Sequence, residues 1–588
     1  MQPVDVTTLM ATCAELRQGW LPARCEQVVQ RDRTTLCMAL RTLKGRDWLT
    51  ISWHPQAARL HMGAAPPKVP DTFTFSQQLK HQLNGLALVS IEPVAPWERA
   101  LDLCFARRPG DPVQWHLYVE IMGKYSNVIL VNDQNQIVTA AHQVSEHQSS
   151  VRPILTGAQY SLPPSLTGPR PALDECQDRW QERVALVPNP LKTALIKAYC
   201  GLSSALVRDL IHQANLDPSQ STATLTETDW QGLFQQWQRW LRCLGEDQFH
   251  PQLTATGFTV IGQPALAKPS LQSLLQTYYD HAFNRQEFDR VHHQLGQVLK
   301  GRLTKLRRKA DDFCDRLDHA TQADHYRQQA DLLMTYSHQW QPGLTAMTVT
   351  DFESGAPITL ALEPDKTAIQ TAQQLYKRHQ KLKRSRNAIA PLLVEVQREV
   401  AYLEQVDAAR QQIAPYDDAA DLRALLDIRD ELVQQGYLKD PTYRPHSRPT
   451  TERVAVRKFH TASGLEVWVG RNNHQNDQIV SHLATDYDLW FHTQEIPGSH
   501  VLLRLSAGTA PSDADLQYVA DLAAYFSRAQ QADQVPVVYT EPRHVYKPKG
   551  ARPGMVIYKQ ERVLWGQPQR AKARVQTADT PGPALALT

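Results

Sequence analysis

The chain has 588 residues, of which 42% are hydrophobic and 21% charged. It is too long for a single core and too apolar for a disordered, collagen-like or small disulfide-scaffold protein. Its net charge of +3 neither demands nor excludes nucleic acid, so the distribution of charge along the chain has to decide. No apolar run approaches the roughly 20 residues that cross a bilayer. The opening MQPVDVTTLMATCAELRQGW has acids at Asp5 and Glu15 where a secretory leader has a basic start and an apolar core. A cytoplasmic protein without membrane partners is the expectation. The eight cysteines form no CxxC pair and read as reduced, mostly buried thiols.

Residues 1–170 read as a first domain. A helix over 6–16 precedes strand-like runs at 35–40, 48–53, 101–105, 115–121, 126–131 and 137–140, separated by turn signals such as Asn132-Asp133-Gln134-Asn135. This predicts a mixed, largely antiparallel sheet with helices on one side. Pro163, Pro164, Pro169 and Pro171 mark its end. Residues 175–245 are helical. Gly201 suits a helix end and Ser203 or Ser204 the next N-cap, so the segment fits a helix-hairpin-helix or a plain helical hairpin.

Two long helical stretches follow, 271–339 and 367–412, around two short strands near Glu353-Ser354-Gly355. A helix of about 45 residues is roughly 70 Å long, so the pair predicts an antiparallel coiled coil over 271–412 with a small tip near 340–362. Lys300, Arg302, Lys305, Arg307, Arg308 and Lys309 form one basic run; Lys377, Arg378, Lys381, Lys383, Arg384 and Arg386 form another. Asp311, Asp312, Asp315, Asp318 and Asp324 follow the first, and Glu395, Glu399 and Glu404 the second. Folding back near Gly355 sets each basic run against the other arm's acids, which predicts ion pairing that fixes register. RNA contact along the coil is the alternative reading of the same cations.

Residues 413–445 hold a closing helix over 422–435 and a proline-marked linker. Residues 450–575 then switch to strands at 454–459, 466–469, 489–492, 501–505, 535–539 and 555–558 with a helix over 513–530, an α+β module. Residues 576–588 read as a disordered tail. Within the module Gly470, Arg471, Asn472, Asn473, Asn476, His492, Gly498, Ser499 and His500 recur in a short span. His492 and His500 with Asp486 and Asp488 match no zinc spacing, and no nucleophile, base and orienter stand in order. No catalytic residue, metal or cofactor is expected. An RNA surface fits better. Trp490, Phe491 and His492 offer stacking faces, with core packing the alternative for the first two, and Arg471 and Arg504 offer phosphate or base contacts. Arg543 to Arg574 carries nine Lys or Arg, among them Lys547 and Lys549, against the single acid Glu561, with Tyr546, Tyr558 and Trp565 interleaved. That imbalance predicts a phosphate-binding face.

VGRNNHQND, DLWFHT, PGSHV and KPKGARPG, in that order, resemble the C-terminal RNA-binding module of the NFACT family. WHLYVEIMGKYSNVILVND with RPILTGAQYSLPP resembles the family's N-terminal domain, and ALLDIRDELVQQGYL the segment that closes its coiled coil. The resemblance spans roughly residues 1–575. It implies a ribosome-associated quality-control factor that binds an obstructed large ribosomal subunit carrying peptidyl-tRNA. It further implies recruitment of tRNA, in bacterial members alanyl-tRNA, for an untemplated C-terminal tail, with the ribosome catalysing peptide transfer. A family Asp-Arg pair tied to tRNA handling and tailing falls in PWERALDLCF as Glu98-Arg99, its carboxylate one methylene further out. Without the resemblance this pair reads as an exposed ion pair at a strand start. The first half also resembles formamidopyrimidine-DNA glycosylases, but proline stands third, as Pro3, where they use an N-terminal proline nucleophile. A non-tailing nucleic-acid binder of that fold, or a surface adhesin of the kind bacterial members were once described as, are the alternatives.

Overall fold

Asp5 starts the first helix: its carboxylate accepts the Thr8 amide at 2.8 Å, and α1 (Val6–Trp20) follows. In the computed structural model the described residues are all but 69, 150, 165–166, 265–269, 353, 440–455 and 579–588. They divide into two units, Met1–Phe283 and Asn284–Thr588. The proline linker thus lies outside the described residues, as does all of the expected disordered tail beyond residue 578. No helix among the described residues is long and apolar enough to cross a membrane.

The first unit is built on nine strands: β1 (Ala23–Asp32), β2 (Thr35–Arg41), β3 (Arg46–Ser52), β4 (Arg59–Gly63), β5 (Ala87–Pro93), β6 (Ala100–Ala106), β7 (Trp115–Glu120), β8 (Asn127–Asn132) and β9 (Ile137–Ala140). Their order is β4-β3-β2-β1-β5-β6-β7-β8-β9. Every pairing is antiparallel, so the sheet is not the mixed one expected. The connections explain why: short turns join most neighbours, and short turns join antiparallel strands. Only α2 (Thr74–Leu83) intervenes, returning the chain from β4 at one edge to β5 beside β1.

Alternation puts Met38, Leu49, Leu101, Leu103, Leu117 and Val119 on one face, where they meet α1 and the helices α3 (Gln177–Ala185), α4 (Leu191–Ala198), α5 (Ser204–Gln213) and α6 (Glu227–Gly245) in one core. Trp180, Trp237 and Trp240 are fully buried there, and the Trp240 indole donates to Thr7 at 3.0 Å. The helical segment therefore shares the sheet's core rather than having its own. The turn between α4 and α5 uses Gly201 at φ +79°, with the Ser203 side chain capping α5. A small hairpin, β10 (Gln252–Thr254) and β11 (Gly257–Thr259), completes the unit before α7 (Leu271–Thr321) begins.

In the second unit the first coil arm is two helices, α7 and α8 (Ala323–Thr335), broken at Gln322. The tip is a hairpin of β12 (Ala346–Thr350) and β13 (Pro357–Ala361). The return arm α9 (Ala368–Ile413) opens on a capping box at Thr367 and Gln370. The arms run antiparallel: Arg410 meets His292 at 2.8 Å, and His379 meets the Ala323 carbonyl at 2.9 Å. This register does set the 300–309 cations against 395–404. Yet among the described residues the only ion pair across the arms is Arg307 to Glu404. Asp312 pairs with Arg316 within its own helix. The seam is apolar: Leu295, Leu299 and Leu303 with Leu403 and Val406, then Phe313 with Ile389 and Val396. A buried Leu is worth about 1.5–3 kcal/mol and an exposed ion pair about 0.2–1 kcal/mol, so packing holds the coil and charge adds little.

Helix α10 (Ala419–Gln434) begins with an Asp418–Asp421 capping box and ends before Gly436 at φ +77°. It packs on α9 through Leu425, Ile428 and Leu432. The C-terminal module is a six-stranded antiparallel sheet of β14 (Arg457–His460), β15 (Glu466–Val469), β16 (Leu489–Thr493), β17 (Val501–Leu503), β18 (Val535–Thr540) and β21 (Arg562–Gly566), ordered β14-β15-β17-β16-β18-β21. Helix α12 (Asp513–Tyr525) and helix α13 (Pro568–Ala578) pack on it. Short α11 (Asn473–Gln478) and a two-stranded ribbon, β19 (Val545–Tyr546) with β20 (Ile557–Tyr558), lie between.

Candidate nucleic-acid interface

Alternation along β16 decides the fate of its aromatics. Phe491 points into the core shared with α12, and Trp490 to the opposite face, against Ile479, Leu502, Val538 and Val545. Both are 1% exposed or less. Neither ring offers the free stacking face expected of it. His492 stacks parallel to Trp490 with centroids 5.8 Å apart, and His500 stands edge-on to both. Burial pushes His492 down to about 4 and His500 well below its ordinary range, so the pair is neutral at physiological pH.

The asparagine motif is likewise turned inward. Arg471 pairs with the buried Asp421 carboxylate and lies 3.6 Å from Asp418, the two capping-box acids of α10. The Asn472 side chain accepts the Gln475 amide at 2.9 Å, capping α11, and donates to the Ala424 carbonyl at 3.0 Å. Asn473 donates to Glu431 at 3.0 Å, and Glu431 also accepts the Tyr402 hydroxyl at 2.6 Å. The Asn476 carbonyl accepts the His500 amide at 3.1 Å, and Ser499 donates to Gln412 at 3.2 Å. Arg504 donates to the Leu483 carbonyl at 2.6 Å, beside Asp488 at 3.3 Å. Arg471, Asn472, Asn473 and Ser499 clasp the module to α9 and α10, while the Asn476, His500 and Arg504 contacts stay within it. Arg471, Asn472, Asn473, Ser499 and His500, expected on an RNA surface, are turned inward and Arg504 is half-buried, while Arg471 Nε, Asn473 Oδ1 and His500 Nδ1 are buried without a hydrogen-bond partner among the described residues.

The exposed chemistry lies further on. Arg543, Lys547, Lys549, Lys559, Arg562, Arg570 and Lys572 all reach solvent. Three are lightly tied: Arg543 to Glu541 at 2.5 Å, Lys547 to Asp477 at 2.5 Å and Arg570 to Asp521 at 2.9 Å. β21 pairs only with β18, so its outer edge is open, and it presents Val563 at 48% and Trp565 at 58% exposure. Tyr546 is 42% exposed on the ribbon. A cleft of about 470 Å³ between Tyr539, Glu541, Arg543, His544, Gln560 and Arg562 opens beside this edge. Cations, free aromatic faces and a base-sized recess together can hold a nucleic-acid strand. Alternation in the sequence pointed to these aromatics; nothing in it marked the cleft.

In the first unit Glu98 and Arg99 sit in the turn from β5 to β6. Trp97, at φ +65°, makes that turn, and its ring packs on Trp240 at 5.6 Å. A Cβ at Gly201 would come within 3.2 Å of the Trp97 ring, so the α4–α5 turn must be glycine there. Glu98 is 9% exposed and Arg99 half-buried, so the pair is not the exposed one that a strand start suggests. The Arg99 carbonyl accepts the Ile121 amide at 2.8 Å, which fixes the backbone against β7. Nearby, Arg152 grips the buried Glu120 carboxylate with both guanidinium ends, and Tyr160 donates to it at 3.0 Å. The WHLYVEIM and RPILTGAQY motifs are thus two halves of one tie.

A profile of the NFACT N-terminal and middle domains matches residues 5–451, and one of the NFACT protein RNA binding domain matches residues 455–560. The chain belongs to the NFACT family. It is 29% identical to the Rqc2 homolog RqcH of Streptococcus suis, over 95% of this chain and 97% of that one. It is 27% identical to the Rqc2 homolog RqcH of Bacillus subtilis, over 94% and 96% of the two chains. The solved C-terminal part of the fibronectin/fibrinogen-binding protein of Streptococcus suis is 30% identical, over 48% of this chain and 98% of that one, with a TM-score of 0.35. In this NFACT protein the RNA-binding domain covers both the buried clasp and most of the exposed basic strip.

Proposed function

We propose that this protein is a ribosome-associated quality-control factor, working in the cytoplasm. On this reading it docks on an obstructed large ribosomal subunit that holds peptidyl-tRNA and brings tRNA, alanyl-tRNA in particular, for an untemplated C-terminal tail. The observation that carries the reading is the exposed strip of cations and aromatics that begins inside the matched NFACT RNA-binding domain, at Arg543 to Lys559, and runs past it along β21, on a chain that matches an RqcH relative over 95% of its length. Phosphate contacts dominate the affinity of such a face and make it salt-sensitive. The α4–α5 turn, read as a helix-hairpin-helix, and the Glu98-Arg99 turn it buttresses are the tRNA-handling end. Glu98 can accept from a base amino or imino group, and Arg99 is a permanent, planar donor. Peptide transfer belongs to the ribosome's RNA, so the protein acts as a non-enzymatic factor that positions substrates.

The test separates docking from tRNA handling. Tagged protein from cells with induced stalling should sediment with large subunits and be released by raised salt; sedimentation only as free protein at low salt overturns the docking half. Glu98→Ala with Arg99→Ala should remove bound tRNA and tailing while most subunit binding stays. If the RNA sequenced from that variant matches the wild-type complement, the tRNA role of the pair is wrong.

A further inference from the structure

On β6 and β7 the pairing places three metal-ligating side chains on one face, away from the core. Asp102 and Cys104 are two residues apart on β6 and so point the same way. Cys104 is the direct cross-strand partner of His116 on β7, where opposed Cβ atoms stand roughly 4.5–5.5 Å apart. The His116 Nδ1 lies 2.8 Å from Asp102 Oδ2 and 3.7 Å from Cys104 Sγ, and all three ligand atoms fall within 4.8 Å of one another. The second carboxylate oxygen, Asp102 Oδ1, is buried without a hydrogen-bond partner among the described residues, a costly state for an acceptor.

We propose that Asp102, Cys104 and His116 form a binding site for a borderline-soft divalent cation of the Zn²⁺ class. The sequence led to no expectation of a metal, and the inference is independent of the RNA reading. Ligands on a tetrahedral Zn²⁺, with bonds of about 2.0–2.3 Å, stand roughly 3.3–3.7 Å apart. The three atoms need to move by only about 1 Å or less to meet one ion. A thiolate, a carboxylate and a neutral imidazole balance two positive charges, and the thiolate and imidazole select against Mg²⁺ and Ca²⁺. The His116 and Asp102 side chains are 28% and 19% exposed, which leaves a fourth position open to water. A Cys-His-Asp hydrolytic relay does not fit, because Asp102 and Cys104 both approach the same nitrogen, whereas a relay uses the two ring nitrogens separately. The chemistry of loading is an exchange. The Cys104 thiol loses its proton; the proton on His116 Nδ1 moves to Nε2 when the ring starts neutral and leaves when it starts as an imidazolium, so one or two protons are released for each ion bound.

The test uses full-length, tag-free protein stripped with chelator and titrated with Co²⁺ at pH 8. One equivalent should bind with a thiolate-to-cobalt charge-transfer band, Zn²⁺ should bleach it, and calorimetry in two buffers should read release of one to two protons. Cys104→Ser should abolish the band, and His116→Gln and Asp102→Asn should weaken binding by more than about tenfold. Cys176→Ser, removing an exposed thiol elsewhere, should change nothing. Absence of the band in the wild type, or its persistence in Cys104→Ser, overturns the site. Should Cys104→Ser fail to fold, the near-isosteric Asp102→Asn decides: wild-type affinity there overturns the proposal.

Discussion

The segment around 470–500 and the strip from 543 to 572 make an instructive pair. The first is dense in Asn, His and Arg, the residue types of recognition, and is consumed by the protein itself. The second is a run of lysines, arginines and scattered aromatics with little motif character, and it is what the solvent sees. The difference is burial against the rest of the fold. Arg471, Asn472 and Asn473 each have a named internal partner on α10 or α11, while Trp565, Lys559 and Arg562 lie on or beside an unpaired sheet edge. A polar residue is a recognition candidate only after the fold has left it something to recognise.

The contrast can be broken first at its buried end. We predict that Arg471→Ala, which leaves the buried Asp421 carboxylate with Arg457 at 3.5 Å and the Asp417 amide at 3.1 Å, costs the second unit about 1–3 kcal/mol in urea denaturation, while the folded remainder binds RNA with unchanged salt dependence. A loss under about 1 kcal/mol would mean the clasp is a surface pair. At the exposed end the pattern reverses. Trp565→Ala should leave stability within about 0.5 kcal/mol yet cost roughly 1–3 kcal/mol in binding to single-stranded RNA. Replacing Arg543, Lys549 and Arg562 together should flatten the salt slope by about two to three units. Equal losses of RNA binding in Arg471→Ala and Trp565→Ala, measured on folded protein, would erase the distinction.

Acid sharpens it further. The folded His500 imidazole titrates far below an unfolded one, with His492 shifted the same way. Their contribution is therefore intact above about pH 6.5 and is lost as pH falls toward 4, because the unfolded chain takes up protons that the folded one refuses. Each such histidine gives a slope of about 1.4 kcal/mol per pH unit. Melting of His500→Gln between pH 7 and 5 should show a shallower decline than wild type. The smallest effect belongs to the coil. Reversing Asp311, Asp312 and Asp315 should move its stability by under about 1 kcal/mol, against about 2–5 kcal/mol for Leu299→Ala, as read by denaturation of the two variants side by side.

What could be read from the sequence follows the same divide. The return arm of the coil is Ala368–Ile413 where 367–412 was expected, because a helical run of that length has few competing interpretations even with Pro391 inside it. The arm before it breaks at Gln322 without a Gly or Pro to announce it. Strands β1, β4 and β5 escaped notice: β4 is only five residues long, and its polar Arg59 and His61 are buried, the first held over the Tyr279 ring at 4.7 Å, where the pattern would put them in solvent. The cations of the strip from 543 to 572 were visible as a charge imbalance. Which residues of the asparagine motif were already spoken for was not, since their partners come from α10, some 42 to 50 residues earlier in the chain. Asp102, Cys104 and His116 stood in plain view, but only the β6–β7 register brings them together.

The base of the return arm has one more consequence. Gln405 donates to the Gly554 carbonyl at 3.2 Å, and Glu404 is held by Arg528 at 2.7 Å as well as by Arg307. A Cβ at Gly554 would come within 2.4 Å of Asn473, so the loop and the helix are pressed together there. From this anchorage to the start of the arm at Ala368 the helix extends for about 55 Å at 1.5 Å per residue. It is a lever with its fulcrum at the RNA-binding domain. A pivot of only about 5° at Gln405 sweeps the far end through roughly 5 Å, so a small adjustment at the module is returned at the tip as a displacement the size of a helical turn.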